Sequence, residues 1–124
     1  MNAAAIYQET AVTTQNRKKL IVLLYDGAIN FLKTASDCMD HNDIEGRSHN
    51  IGRARDIIFE LNSSLNLELG GAISQNLRAL YNFIWRTLGE VNVQNDSDKL
   101  EVVIRMLTDL RQSWYQISNR KKGI

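Results

Sequence analysis

Between Asn16 and His41, apolar side chains recur at three- and four-residue spacing, with Leu20, Leu24, Gly27, Phe31 and Ala35 on one face of a helix. The same period returns three more times. Ile51, Ala54, Ile58, Leu61 and Leu65 align between about Ile44 and Leu67. Leu77, Leu80, Tyr81, Ile84, Leu88 and Val91 do so between about Ala72 and Val93, and Leu100, Val103, Leu107, Leu110 and Trp114 between about Asp98 and Asn119. No run alternates with a period of two, so no sheet is expected. Asn16 is a suitable N-cap for the first segment. Gly70-Gly71 should stop the second, because glycine adopts the left-handed conformation past a helix end without penalty. Asn95-Asp96-Ser97 reads as a turn, with Ser97 or Asp98 capping the fourth helix. Helices of similar length joined by short turns pack as antiparallel neighbours. The expected fold class is therefore all-α, an antiparallel up-down-up-down four-helix bundle with a short N-terminal arm or helix. A single domain spans residues 1–124, with 1–15 as a flexible arm carrying Ile6, Tyr7 and Val12, and 120–124 as a frayed tail.

The first segment is more apolar than a bundle helix requires. From Leu20 to Leu32 its apolar side chains cover roughly 260° of a helical wheel, whereas a one-sided stripe needs little more than ~100°. Asp26 and Asn30, with Lys19, Lys33 and Asp37 at the flanks, mark the only polar edge. Giving the stripe of Leu20, Leu24, Gly27 and Phe31 to the core leaves Ile21, Val22, Tyr25 and Ile29 over. Ile57 and Phe59 flank the second stripe, Phe83 and Trp85 the third, and Val102, Met106 and Ile117 form a secondary line on the fourth. A wide core absorbs part of this surplus, but contiguous apolar patches mark partner sites, and grooves between helices commonly receive partner helices. A homodimer interface is the competing use. Gly27, in mid-helix, costs ~1 kcal/mol relative to alanine, which a close helix crossing there would offset.

Composition narrows the function without naming it. The chain has 124 residues, 44% apolar and 23% charged, a net charge of +1 and no proline, the main helix breaker. Near-neutral charge argues against nucleic acid as a partner, and the short clusters Arg17-Lys18-Lys19 and Arg120-Lys121-Lys122 read as solvated surface. The longest unbroken apolar stretch, Leu20–Tyr25, is too short to insert across a membrane. No signal peptide is recognisable at Met1-Asn-Ala-Ala-Ala-Ile-Tyr, and a single cysteine, Cys38, suits a reducing cytoplasm. Catalytic constellations are not found. Neither histidine follows a glutamate at the spacing of di-iron bundles. Cys38-x-x-His41, with His49 nearby, has no second cysteine or fourth ligand for zinc. Nucleophile elbows, phosphate loops and dinucleotide fingerprints are missing too. No catalytic residue, metal or cofactor is therefore expected, and the chain reads as a non-enzyme.

Taken in order, several motifs resemble the FliS family of flagellar export chaperones. The match begins with Ile6-Tyr7-Gln8 and Val12-x-Thr14 and is strongest at Leu20-x-x-x-Leu24-Tyr25-Asp26-Gly27-Ala28, followed by Phe31-Leu32. It continues through Ala54-x-x-Ile57-Ile58-x-x-Leu61, Ser64-Leu65-Asn66 and Gly70-Gly71-x-Ile73-x-x-Asn76-Leu77-x-x-Leu80-Tyr81. It closes with Val91-Asn92-x-x-Asn95-Asp96, Leu100 and Leu110-Arg111-x-x-Trp114, covering roughly residues 6–117. Asn16-Arg17-Lys18 stands where the family often has Ser-Pro-Glu, and Ala72 where an acidic residue is common. The resemblance implies a helical-bundle chaperone of the bacterial cytosol, working without ATP or catalysis. Its implied partner is the disordered C-terminal segment of flagellin, laid in apolar grooves, kept from premature polymerisation and delivered to the flagellar export apparatus. An export-gate component, a co-chaperone and a weak homodimer are further candidate partners. The expected partner-binding residues are Ile6, Tyr7, Ile21, Tyr25, Ile29, Ile57, Phe83, Val102 and Met106, with the arm around Tyr7 acting as a displaceable lid.

Overall fold

The computed structural model describes residues 14–65 and 70–118 and contains four helices, α1 (Thr14–Asp40), α2 (Ile44–Ser63), α3 (Gly71–Gln94) and α4 (Ser97–Ser118). Each packs against its sequence neighbours, and α4 closes the ring against α1. This is the antiparallel four-helix bundle that the periodicity predicts. The four seams are unequal. α1 has extensive interfaces with both α2 and α4, whereas α3 and α4 touch least.

Short polar side chains set the helix ends. Asn42 takes a positive φ of 56° and lets the chain reverse, and Asp43 then caps α2 by accepting the Gly46 N–H at 2.9 Å. α2 ends at Ser63, earlier than expected. There the Ser63 and Ser64 hydroxyls donate to the carbonyls of Phe59 and Leu61, an alternative to continuing the helix. Gly70 and Gly71 consequently act at the next boundary. Both have positive φ, with Gly70 as N-cap and Gly71 as the first residue of α3. Asn95 ends α3 in the left-handed conformation, and Asp96, one residue before the positions expected, caps α4 by accepting the Lys99 N–H at 3.0 Å. α1 starts at Thr14, so Asn16 lies inside the helix, and Thr14 and Gln15 belong to α1 and not to the arm. Ile6, Tyr7, Val12 and the 120–124 tail lie outside the described residues, as does the side chain of Ile117.

The predicted core stripes hold on three helices. Ile51, Ala54, Ile58, Leu61 and Leu65 are buried, as are Tyr81, Ile84, Leu88 and Val91, and Leu100, Val103, Leu107 and Trp114. Leu77 and Leu110 are partly buried against this core, and Leu80 is exposed. On α1 the stripe is turned. Ile21, Val22, Tyr25, Ala28, Ile29, Leu32 and Ala35 are buried, while Leu20 is 55% exposed and Leu24 and Phe31 are only partly covered. The physical reason is that α1 has neighbours on two sides, so its innermost line is the one opposite Asn30, Lys33 and Asp37. The line through Leu24, Gly27 and Phe31 lies instead on the flank toward α2. A Cβ on Gly27 would stand 3.3 Å from Ile57 Cδ1, the close crossing that a mid-helix glycine suggested. On the flank toward α4, Arg111 donates to both carboxylate oxygens of Asp26, at 2.8 and 3.4 Å.

Two phenol hydroxyls meet in the largely apolar interior. Tyr25 and Tyr81, both fully buried, hydrogen-bond to each other across the diagonal of the bundle, with Trp114 beside them. Burial raises the pKa of both phenols above the ordinary tyrosine value; for Tyr25 the neighbouring Tyr81 adds to the rise. Both therefore stay neutral under physiological conditions.

Candidate interaction surfaces

A bundle with its core filled can still offer apolar surface along its seams. α3 and α4 are joined near their turn by Lys99 Nζ and Glu90 Oε1 at 3.1 Å. Phe83 lies seven residues before Glu90, and Met106 seven after Lys99, so each shares a helix face with one partner of that bridge. Val102 lies one turn beyond Lys99. The α3–α4 seam is thus lined by Phe83 and Val102, each 46% exposed, with Leu80 and Ile73 continuing the exposed line along α3. Met106, Leu77 and Leu110 lie deeper, against the core. This is the seam at which the two helices touch least.

A second apolar surface lies on the other flank of α3. Phe59, 64% exposed, and Trp85, 40% exposed, wall a cleft of about 240 Å³ whose floor is Ile58 and Tyr81. Asn62 and Asn82 close one end, the Asn62 amide donating to Asn82 Oδ1 at 2.9 Å. Arg55 fixes the register between α2 and α3. Its guanidinium carbon sits 3.6 Å from the Trp85 ring centroid, and its Nε donates to the Trp85 carbonyl at 3.0 Å. The bare Cα of Gly89 makes room for it, since a Cβ there would come within 3.1 Å of the guanidinium.

The nine expected partner-binding residues separate accordingly. Phe83, Val102 and Met106 come together on the α3–α4 seam. Ile57 is half-buried over Gly27. Ile21, Tyr25 and Ile29 are core residues in this fold, because the innermost line of α1 runs beside Ile21 and Tyr25 and not through Leu20, and a second neighbouring helix covers the flank that carries Ile29. They present no groove surface. Ile6 and Tyr7 lie outside the described residues. The polar candidates stay dispersed: among the described residues no three of His, Cys, Asp and Glu are placed to hold a metal ion. Cys38 is half-buried, its thiol pushed up by burial and by the Asp43 carboxylate, and His41 bonds the Asp37 carbonyl of its own helix. No described helix is long and apolar enough to cross a membrane. Exposed Leu20 and Leu23 and the Arg55–Trp85 stack were not anticipated. The leucines were legible from their distance to the new core line, but no pattern in the sequence signals the stack.

Comparison with known proteins agrees with the motif order. The family model described as flagellar protein FliS matches residues 1–121. Relatives carrying the name flagellar secretion chaperone FliS include one from Bacillus subtilis, 32% identical over 93% of this chain and 85% of its own length. Another, from Salmonella typhimurium, is 33% identical over 93% of this chain and 86% of its own length. A third, the flagellar secretion chaperone FliSB of Pseudomonas aeruginosa, is 32% identical over 96% of this chain and 98% of its own length. With the match running through all four helices and the turns between them, the chain belongs to the FliS family.

Proposed function

We propose that this protein is a cytoplasmic flagellar export chaperone that holds the disordered C-terminal segment of flagellin along the α3–α4 seam. Family membership supports the export-chaperone role. The observation that carries the choice of seam is the pair Phe83 and Val102, half-exposed between the two neighbouring helices that touch least. An amphipathic client helix laid there buries its apolar face on Phe83, Leu80 and Val102 and can reach Met106. Ordering such a client costs on the order of 2–5 kcal/mol, which apolar burial along two helices offsets. The client is thereby kept from self-assembly until the export apparatus takes it. In this reading Ile6 and Tyr7 belong to an arm that covers part of the groove until the client displaces it.

Titration with a synthetic peptide of flagellin's C-terminal region tests the assignment. Val102→Asp and Phe83→Ser should each weaken binding at least about tenfold while the melting profile stays unchanged. Wild-type affinity in both variants would remove the seam from the site. Deleting residues 1–10 should speed or tighten peptide binding, and a large loss of affinity would make the arm part of the site instead.

A further inference from the structure

The α3–α4 seam is apolar along most of its length but carries one polar band. Asn76 lies fourteen residues before Glu90, and Ser113 fourteen after Lys99, so the two flank the seam at a common height, about four helical turns from that bridge. Both are exposed. On α3, Asn76 follows Ile73 by three residues and precedes Leu80 by four and Phe83 by seven, and all three of these apolar neighbours are exposed on the same side of the helix. The Ser113 hydroxyl donates to the Asp109 carbonyl of its own helix at 3.3 Å, which leaves its oxygen free to accept. The Asn76 side chain makes no hydrogen bond among the described residues, so its two N–H donors and its carbonyl oxygen are all available.

A partner that covers Ile73, Leu80 and Phe83 must also cover Asn76, which stands between them. Covering it strips its solvation, and an amide buried without a partner costs roughly fivefold to a hundredfold in affinity. A client with an apolar residue at that level is therefore rejected, whereas one that brings its own donor and acceptor is accepted. A primary amide fits best. It meets the Asn76 amide with two antiparallel hydrogen bonds and keeps a second N–H for the Ser113 oxygen. The rise from Asn76 to Phe83 is about 10 Å, or two helical turns, which fixes the spacing between the two contacts.

We infer that Asn76, assisted by Ser113, selects the client by pairing with an asparagine or glutamine side chain about two helical turns from the apolar residue seated on Phe83. The inference rests on the client lying along the α3–α4 seam. It adds the chemistry by which that seam distinguishes one amphipathic segment from another.

Titration of the full chain with the peptide of flagellin's C-terminal region is the test, with helicity and melting followed in parallel. Asn76→Ala should weaken binding at least about fivefold, and Ser113→Ala by less, with no loss of stability. Replacing the peptide's asparagines and glutamines by alanine one at a time should reveal one position whose loss weakens wild-type binding by a similar factor. That peptide should lose little more on Asn76→Ala, because the pair is already broken. On Asn76→Leu it should regain affinity, since two apolar groups then meet. Val102→Asp is the reference for the seam. If Val102→Asp weakens binding while Asn76→Ala binds as the wild type, the client uses the seam without covering Asn76, and the inference alone is overturned. Strictly additive effects of every peptide substitution with Asn76→Ala would overturn it too. Wild-type affinity in both Val102→Asp and Phe83→Ser removes the seam, and the inference with it.

Discussion

Tyr25 and Tyr81 place two phenol hydroxyls among mainly hydrocarbon core side chains, and each is the other's hydrogen-bond partner. Replacing either by phenylalanine leaves one buried hydroxyl poorly paired, at an expected cost of about 1–3 kcal/mol. Replacing both removes donor and acceptor together. The double variant should therefore lose less than the sum of the two singles in urea titrations, and a strictly additive result would show that the pair is not coupled. The same pair predicts a response to alkali. Both phenols have folded-state pKa values above the ordinary 10.0. Their contribution is complete below pH 10 and is lost as pH rises further, since the unfolded chain releases these protons first. Stability should fall above about pH 10 by up to ~1.4 kcal/mol per pH unit for each tyrosine, and the Tyr25→Phe/Tyr81→Phe variant should show a shallower decline.

At the scale of the helix, Gly27 divides two effects that usually travel together. Alanine there gains helix propensity and must displace only the flexible tip of Ile57, so Gly27→Ala should stabilise by about 0.5 kcal/mol. Gly27→Leu forces α1 and α2 apart and should cost about 1–3 kcal/mol. Thermal melts of the two variants check the opposite signs. Asp43→Ala should cost about 0.5–2 kcal/mol by removing the acceptor that caps α2. The helices themselves were legible because α2, α3 and α4 each have one dominant stripe. α1 was legible as a helix but not in its orientation. Six consecutive apolar residues, Leu20–Tyr25, satisfy two adjacent stripes equally, and the apolar count does not choose between them. The polar edge does: Ile21, Ala28, Leu32 and Ala35 lie opposite Asn30, Lys33 and Asp37, and these four are buried. Read from that edge, Ile21 belongs to the core from the outset, whereas Tyr25 and Ile29 lie off that line and are buried because α1 has a second neighbour on that side. Phe83 and Val102 could be placed on a seam from periodicity because their helices have apolar residues on two faces. Arg55 could not, since its position depends on a ring and a carbonyl supplied by another helix.

For the whole molecule, unequal seams mean unequal responses to change. Leu107 is fully buried, and Leu107→Ala should lower global stability by about 2–5 kcal/mol. Val102, half-exposed on the loosest seam, should tolerate aspartate with little effect on melting while losing the flagellin peptide. That contrast separates the fold from the proposed site. Amide exchange offers a second view. Bound peptide should slow exchange in α3 and α4 more than in α1 and α2, and uniform protection would argue against a single seam.

The two tryptophans occupy opposite extremes of this architecture. Trp114 is 4% exposed beside the tyrosine pair, and Trp85 forms a wall of the α2–α3 cleft. A collisional quencher such as acrylamide should therefore reach Trp85 and spare Trp114, dividing the native emission into an accessible and a shielded fraction. Trp85 reports whether the cleft is covered, and Trp114 whether the interior is intact. The unlabelled protein thus carries separate optical gauges of surface and core.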